Sequence, residues 1–281
     1  MNRKYILTDE TIKPLGRVLH RIQAVKNFGN VKAGDLGGFI EKEDNLSHEG
    51  GAWVYGDARV FDNGRVFSDA EVFDNARVCG GARVCGGARV CGNAEVSGNA
   101  RISGGAGVYG NAEVRGNAWV YDNARVFDDA RVFGDARVCG DARVFDNAGV
   151  CGDARVFDNA EVSGNARISG GAWVFGDAWV SGDARVFDDA RVFGDARVSD
   201  DARICDNNSF LSVSNIGLSN IGFGYDTTTF FECLDGSIKV NCGCFGGTIE
   251  EFADEVKKTH GGDKFGEEYA LAIELAKIHI K

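Results

Sequence analysis

The chain has 281 residues and a formal net charge of −11, with 44% hydrophobic residues, 40 glycines and a single proline, Pro14. That apolar content is enough for a core. Abundant glycine without proline points away from a linker or collagen and towards a regular fold that turns often and keeps its backbone donors in ladders. The acidic balance excludes a nucleic-acid binder that works through bulk positive charge, so no direct nucleic-acid binding is expected.

The N-terminal stretch MNRKYILTDETI has no apolar h-region, and no run in the chain approaches the ~18 apolar residues of a membrane span. The expectation is a soluble cytoplasmic protein with no membrane contact. The nine cysteines agree with this, because they are odd in number and follow the repeat described below, not a disulfide framework. KYILTDETI and RVLHRIQAV read as two short strands of an N-terminal β cap over residues 1–39. VKAGDLGGFIEKEDNLS then leads into a repeat.

Ala occupies position 52 and every sixth position to 202, with Gly64 the one exception, which makes 26 hexads. Two residues after each of these comes Val, replaced by Ile at 102, 168 and 204. The phase is read upstream through Leu46 and Ile40 and downstream through Phe210 and Ile216, giving a repeat domain over residues 40–216. Each unit reads Ala, x, Val, x, turn, turn. Ala and Val are two apart, so in an extended segment they share a face. The turn positions carry Gly, Asp, Asn or Ser, which tolerate tight corners. Val in every unit and regular Gly exclude a helix. The economical solution is an all-β solenoid with three hexads per coil, each coil stacked about 4.8 Å from the next in a rod of about 40 Å.

At this point the chain resembles the hexapeptide-repeat proteins, in which an aliphatic residue is followed four positions later by a small one, as in Val60 and Gly64 or Val186 and Ala190. The resemblance implies a left-handed parallel β-helix of triangular section.

With Ala and Val inside, the x positions face out, and residues 18 apart stack in ladders. Arg155, Trp173 and Arg191 form one such row, and Arg101, Trp119 and Arg137 another. Both alternate a cation with a ring. After Val, Phe157, Phe175 and Phe193 form an aromatic ladder, and Tyr109, Phe127 and Phe145 a second, on the outer face or, where a corner tucks the post-Val residue inward, in the core. Between positions 52 and 205 there are 17 Arg and no Lys. Planar guanidinium groups stack and fork onto carboxylates, which corner residues such as Asp183, Asp189 and Asp195 are placed to supply. Exposed apolar stripes of this kind point to contact with another surface. The expected partners are a second copy of the chain, or else a host protein or nucleotide.

At the C-terminal end, residues 217–281 read as a ββαα cap. TTTFFECL and GSIKVNCGCF form a hairpin turning at Gly236. Thr248 and Glu251 have capping-box spacing before a first helix, GGDK breaks it, and FGEEYALAIELAKIHI reads as a second amphipathic helix. The flanks resemble those of bacterial and prophage repeat proteins. Many hexapeptide-repeat proteins are acyltransferases with a histidine base at the coil interface and a loop protruding from a coil. Here His20, His48, His260 and His279 all lie outside the uninterrupted repeat that starts at Ala52, so a coenzyme-A-dependent acyltransferase would be atypical, with His48, near a coil edge, the nearest candidate base. Cys233, Cys242 and Cys244 lack the spacing of a zinc knuckle. No catalytic residue, metal or cofactor is assigned, and the leading expectation is a non-enzymatic scaffold that self-associates through its aromatic and Arg ladders. A phage-type inhibitor that occupies a host site as an acidic rod is the alternative.

Overall fold

The computed structural model describes residues 3–199, 201–205, 209–218, 221–223, 227–233, 236–243 and 245–280, with the backbone alone for 209–215. Cys244 lies outside the described residues, as does the side chain of Phe210. The chain divides into two compact units, Met1–Asn147 and Ala148–Lys281.

In the first unit, strands Tyr5–Ile12, Leu19–Ala24 and Leu36–Ile40 form an antiparallel cap. The third passes into the solenoid by pairing in parallel with Arg59–Val60. Two-residue strands then follow every six residues from Trp53–Val54 to Arg143–Val144. Within this unit they pair in parallel with the strand three repeats on, without slip: Arg89 faces Gly107, and Val90 faces Val108. The bonding is equally regular. Arg89 N–H donates to Ala106 C=O at 2.9 Å and Cys91 N–H to Val108 C=O at 3.0 Å. Every Ala and Val or Ile of the repeat is 0% exposed. The inward assignment therefore holds throughout the parallel β-solenoid.

Corners turn through a left-handed residue two positions after Val. Glycine supplies most of them, and aspartate takes the same conformation at Asp62, Asp74, Asp122 and Asp128, with φ between 58° and 60°. The next corner position forms ladders of amides. Asn93 Nδ2 donates to Asn111 Oδ1 and Asn111 Nδ2 to Asp129 Oδ1, both at 3.0 Å.

Upstream, the expected phase fails. Ile40 pairs with Val60 and Leu46 bridges Val66, each 20 residues on, not 18. The corner over residues 47–51 is two residues longer than the others, and the N-terminal cap uses the extra length. Lys4, fully buried, donates from Nζ to Ala52 C=O at 2.7 Å and to Gly50 C=O at 3.4 Å. Burial, then the charge of Lys26, lowers its pKa to about 8, against the opposing pull of Asp69. Tyr5 Oη donates to the carbonyls of Glu43 and Leu46 at 2.9 and 2.8 Å. Trp53 occupies an outward slot yet is 1% exposed, because Tyr5 and Phe28 cover it with ring centroids at 6.1 and 5.3 Å.

In the second unit the two-residue strands run from Gly149–Val150 to Arg203–Ile204. Strand Ser209–Leu218 begins in solenoid register, with Val192 facing Phe210. It then becomes the first of four antiparallel strands, followed by Thr228–Cys233, Ile238–Cys242 and Phe245–Thr248. The expected hairpin is its centre, with one more strand on each side. Helix α1 (Ile249–His260) starts on the Thr248–Glu251 capping box, with Thr248 N–H donating to Glu251 Oε2 at 2.8 Å. Asp263 caps helix α2 (Lys264–His279). Phe230, Val240, Phe252, Tyr269 and Ile273 form the core beneath. No helix among the described residues is long and apolar enough to cross a membrane.

Two glycines separate corner from strand. Gly98 has φ +68°, and a Cβ there would sit 2.8 Å from Gly116 N and 2.9 Å from its carbonyl oxygen. Gly149 lies in a strand slot with no heavy atom within 4 Å of a Cβ. In denaturant melts, Gly98→Ala is expected to cost at least about 1–2 kcal/mol from its left-handed backbone alone. Gly149→Ala should be neutral or stabilising by about 0.4–1 kcal/mol.

Candidate functional site

The second unit brings two expected ladders onto one sheet. Strands Arg155–Val156, Trp173–Val174 and Arg191–Val192 are consecutive neighbours. Their register places the Trp173 indole between two guanidinium groups, 4.8 Å from Arg155 and 5.1 Å from Arg191. The residues after Val stack beside this row. Phe157 and Phe175 lie 4.8 Å apart and 3° from parallel, and Phe175 and Phe193 are 5.1 Å apart at 7°. Phe157 also meets Trp173 edge-on at 6.0 Å. Arg155, Trp173, Arg191, Phe157, Phe175 and Phe193 thus form one composite surface.

The first unit repeats the sandwich, with Trp119 between Arg101 at 4.9 Å and Arg137 at 5.7 Å. Its aromatic ladder lies on a different sheet and is shorter than expected. Phe127 stacks on Phe145 at 4.9 Å and 3°. The Tyr109 ring instead lies over Gly107, where a Cβ would overlap it. Glycine in the outward slot leaves the space into which the ring turns.

Exposure separates the two kinds of ring. The Phe residues of both ladders are half-buried at the corners, whereas Trp119 and Trp179 are 37% and 42% exposed. Phe rows are therefore as much a part of corner packing as of the outer surface. Trp179, not singled out in the sequence, lies 5.8 Å from Arg197 and donates from Nε1 to Ser163 Oγ at 3.3 Å. The 18-residue spacing from Glu161 through Trp179 to Arg197 was the signal available for it.

Several solenoid arginines find carboxylates in strand slots. Arg89 pairs with Glu71 at 3.2 Å, Arg115 with Glu113 at 3.5 Å and Arg77 with Glu95 at 3.8 Å. Corner residue Asp183, expected to neutralise arginine, accepts a hydrogen bond from Asn165 Nδ2 at 2.9 Å. Corner aspartates Asp62 and Asp57 do pair with arginine, but with Arg17 and Arg21 of the cap. A concavity of about 360 Å³, also missed, is lined by Arg167, Arg185, Arg203 and Phe187. Its three arginines have the same 18-residue spacing.

His48 sits in the long corner beside a concavity of about 410 Å³ that Arg65 and Arg83 also line. It stacks on Tyr5 at 4.3 Å. Its Nδ1 accepts from the Lys4 backbone N–H at 3.3 Å, so in the neutral ring Nε2 carries the proton. That nitrogen is sealed from solvent without a hydrogen-bond partner, 4.0 Å from Glu43. A base needs an open lone pair within reach of its substrate, and neither ring nitrogen offers one. Four thiols of the solenoid are equally unsuited as nucleophiles. Burial pushes the pKa of Cys79 to about 11 and raises those of Cys85, Cys91 and Cys151. No cluster of metal-ligating side chains occurs among the described residues.

Burial lowers the pKa of His48, with Glu43 opposing and Lys4 adding to the shift. Because the fold favours the neutral ring, the unfolded chain takes up a proton first as pH falls. Stability should therefore be retained above the unfolded value of about 6.5 and decline below it. An NMR titration should show His48 remaining neutral below that pH, and His48→Phe should flatten this part of the stability profile.

A comparison with curated proteins gave no match. The family described as YdcK beta solenoid repeat matches residues 124–140, 136–152 and 160–176, each stretch close to one coil, and in these stretches the chain is similar to that repeat.

Proposed function

We propose that the chain is a non-enzymatic binding scaffold that offers its Arg–Trp rows to an acidic protein partner. The observation that carries this reading is the row Arg155–Trp173–Arg191, in which no outward strand slot holds a carboxylate. The corresponding slots of the first unit read Arg65, Arg83, Arg101, Trp119 and Arg137. Another row carries glutamate beside arginine, as in Glu71 with Arg89, while Arg167, Arg185 and Arg203 form a row of arginine without an indole.

Arg155 and Arg191 stand two strand spacings apart, about 9.6 Å, where unit charges repel by roughly 0.4 kcal/mol even in bulk water. A carboxylate laid across the row relieves that repulsion and gains forked hydrogen bonds. The indole helps in a second way. Each cation–π contact is worth about 0.5–1 kcal/mol at an exposed site and holds the guanidinium in place before a partner arrives.

The same features disfavour a second copy on this face, because two Arg rows would meet and the Phe rings are half-buried. A nucleic acid is a poorer fit than a protein. Corner residues Asp158, Asp177 and Asp195 flank the row, and a continuous phosphate backbone would run against them. A protein presents discrete carboxylates.

The test is a pull-down from bacterial lysate with wild type and Arg155→Gln/Arg191→Gln as baits. A protein retained by wild type, lost from the variant and released as ionic strength rises is the expected result. Identical retention on both baits, or nucleic acid as the retained species, would overturn the reading.

A further inference from the structure

The second helix of the C-terminal cap departs from the amphipathic pattern expected of it. Tyr269, Ala272, Ile273 and Ala276 are buried against the cap core. Leu271, Leu275 and Ile278 lie at i, i+4 and i+7, so they form a second apolar stripe on the same helix. They are 73%, 44% and 75% exposed. Between α1 and α2, beside that stripe, runs an apolar groove of about 420 Å³ with Val256 and Ile273 in its lining. Ala270 belongs to the groove and Leu271 to the stripe, so ridge and groove are adjacent on one surface.

We propose that this surface is a two-fold contact with a second copy of the chain, in which the Leu271–Leu275–Ile278 ridge of each copy lies in the α1/α2 groove of the other. An isologous contact needs one patch that is complementary to itself, and an adjacent ridge and groove meet that requirement. The charges select the same occupant. The groove is rimmed by Lys257, Lys277, Glu267 and Glu274, so the rim is neutral on a chain whose net charge is −11. Two copies that repel elsewhere can approach here. Glu267 lies near the start of α2 and Lys277 near its end, about 15 Å apart at the helical rise. An antiparallel pairing of the two α2 helices therefore brings Glu267 of each copy towards Lys277 of the second. This contact is independent of the Arg–Trp rows.

Sedimentation equilibrium on the full chain tests it. A monomer–dimer equilibrium is expected. Leu271→Glu/Ile278→Glu should weaken it at least tenfold. Both side chains are exposed, so the thermal transition of the dilute protein should be unchanged. Glu267→Lys and Lys277→Glu should each weaken association, and the double reversal should restore it. Arg155→Gln/Arg191→Gln should leave it untouched. A chain that is monomeric at every concentration would overturn the proposal. So would association indifferent to the ridge substitutions, charge reversals that do not rescue one another, or association abolished by the arginine variant.

Discussion

Within each unit, every described coil is bonded to the next by the same backbone contacts. An outward residue donates its N–H to the carbonyl of an Ala one coil on, as Arg125 does to Ala142 at 2.9 Å. This ladder without slip is the constraint on which the rest depends. From Ala52 on, it is kept by coils of one circumference, which is why Ala and Val recur there without an inserted residue, and upstream the two extra residues are taken up in the corner over 47–51. A shift of one residue would turn the apolar pair outward. The ladder also leaves a row of unpaired donors and acceptors wherever it stops. At the C-terminal end, Arg203 N–H donates to Thr229 Oγ1 at 3.0 Å, and Asn241 Nδ2 donates to Arg203 C=O at 2.9 Å. At the N-terminal end, Asn45 Nδ2 donates to the carbonyls of Asp62 and Gly64 at 3.2 and 2.8 Å. The caps answer the last coils with side chains as well as strands.

The same spacing governs what happens outside. Identical side chains are stacked at the distance of neighbouring strands, which suits flat groups and strains charged ones. Rings settle within a few degrees of parallel, and corner amides form chains of hydrogen bonds. Arginines are relieved by glutamate on a neighbouring rung or by an indole between two guanidiniums. Rows that use only the indole keep their positive charge, as does the neighbouring row Arg167–Arg185–Arg203, and what sets the Arg155–Trp173–Arg191 row apart is the ring between its cations.

What was legible in the sequence was whatever the period controls. The inward pairs, the cation–indole sandwiches and the Phe157–Phe175–Phe193 stack all follow from counting by 18. The rest depends on local events that break the count. Tyr109 leaves its ladder because Gly107 leaves an empty slot beside it. The upstream phase slips because residues 47–51 make room for Lys4, Tyr5 and His48. Trp53 is buried by rings from the cap, which no repeat could announce. Corner Asp183 takes an amide partner because Asn165 is one rung away. The outer stripe of α2 was present in the sequence as Leu271, Leu275 and Ile278, but an apolar face does not say which side of a helix the core will take.

Periodicity also limits what a solenoid face can recognise. A partner that touched only equivalent arginines would find a new register of equal energy at each coil, about 4.8 Å along. Affinity could then be high while position remained undefined. Specificity needs an interaction that differs between registers, and in these rows it comes from substitutions in the pattern. Trp173 marks one position between Arg155 and Arg191, and Trp119 does the same between Arg101 and Arg137. A partner that matches the indole as well as its two cations loses a contact on moving by one coil. The irregular slots of an otherwise uniform repeat are therefore where its recognition is defined.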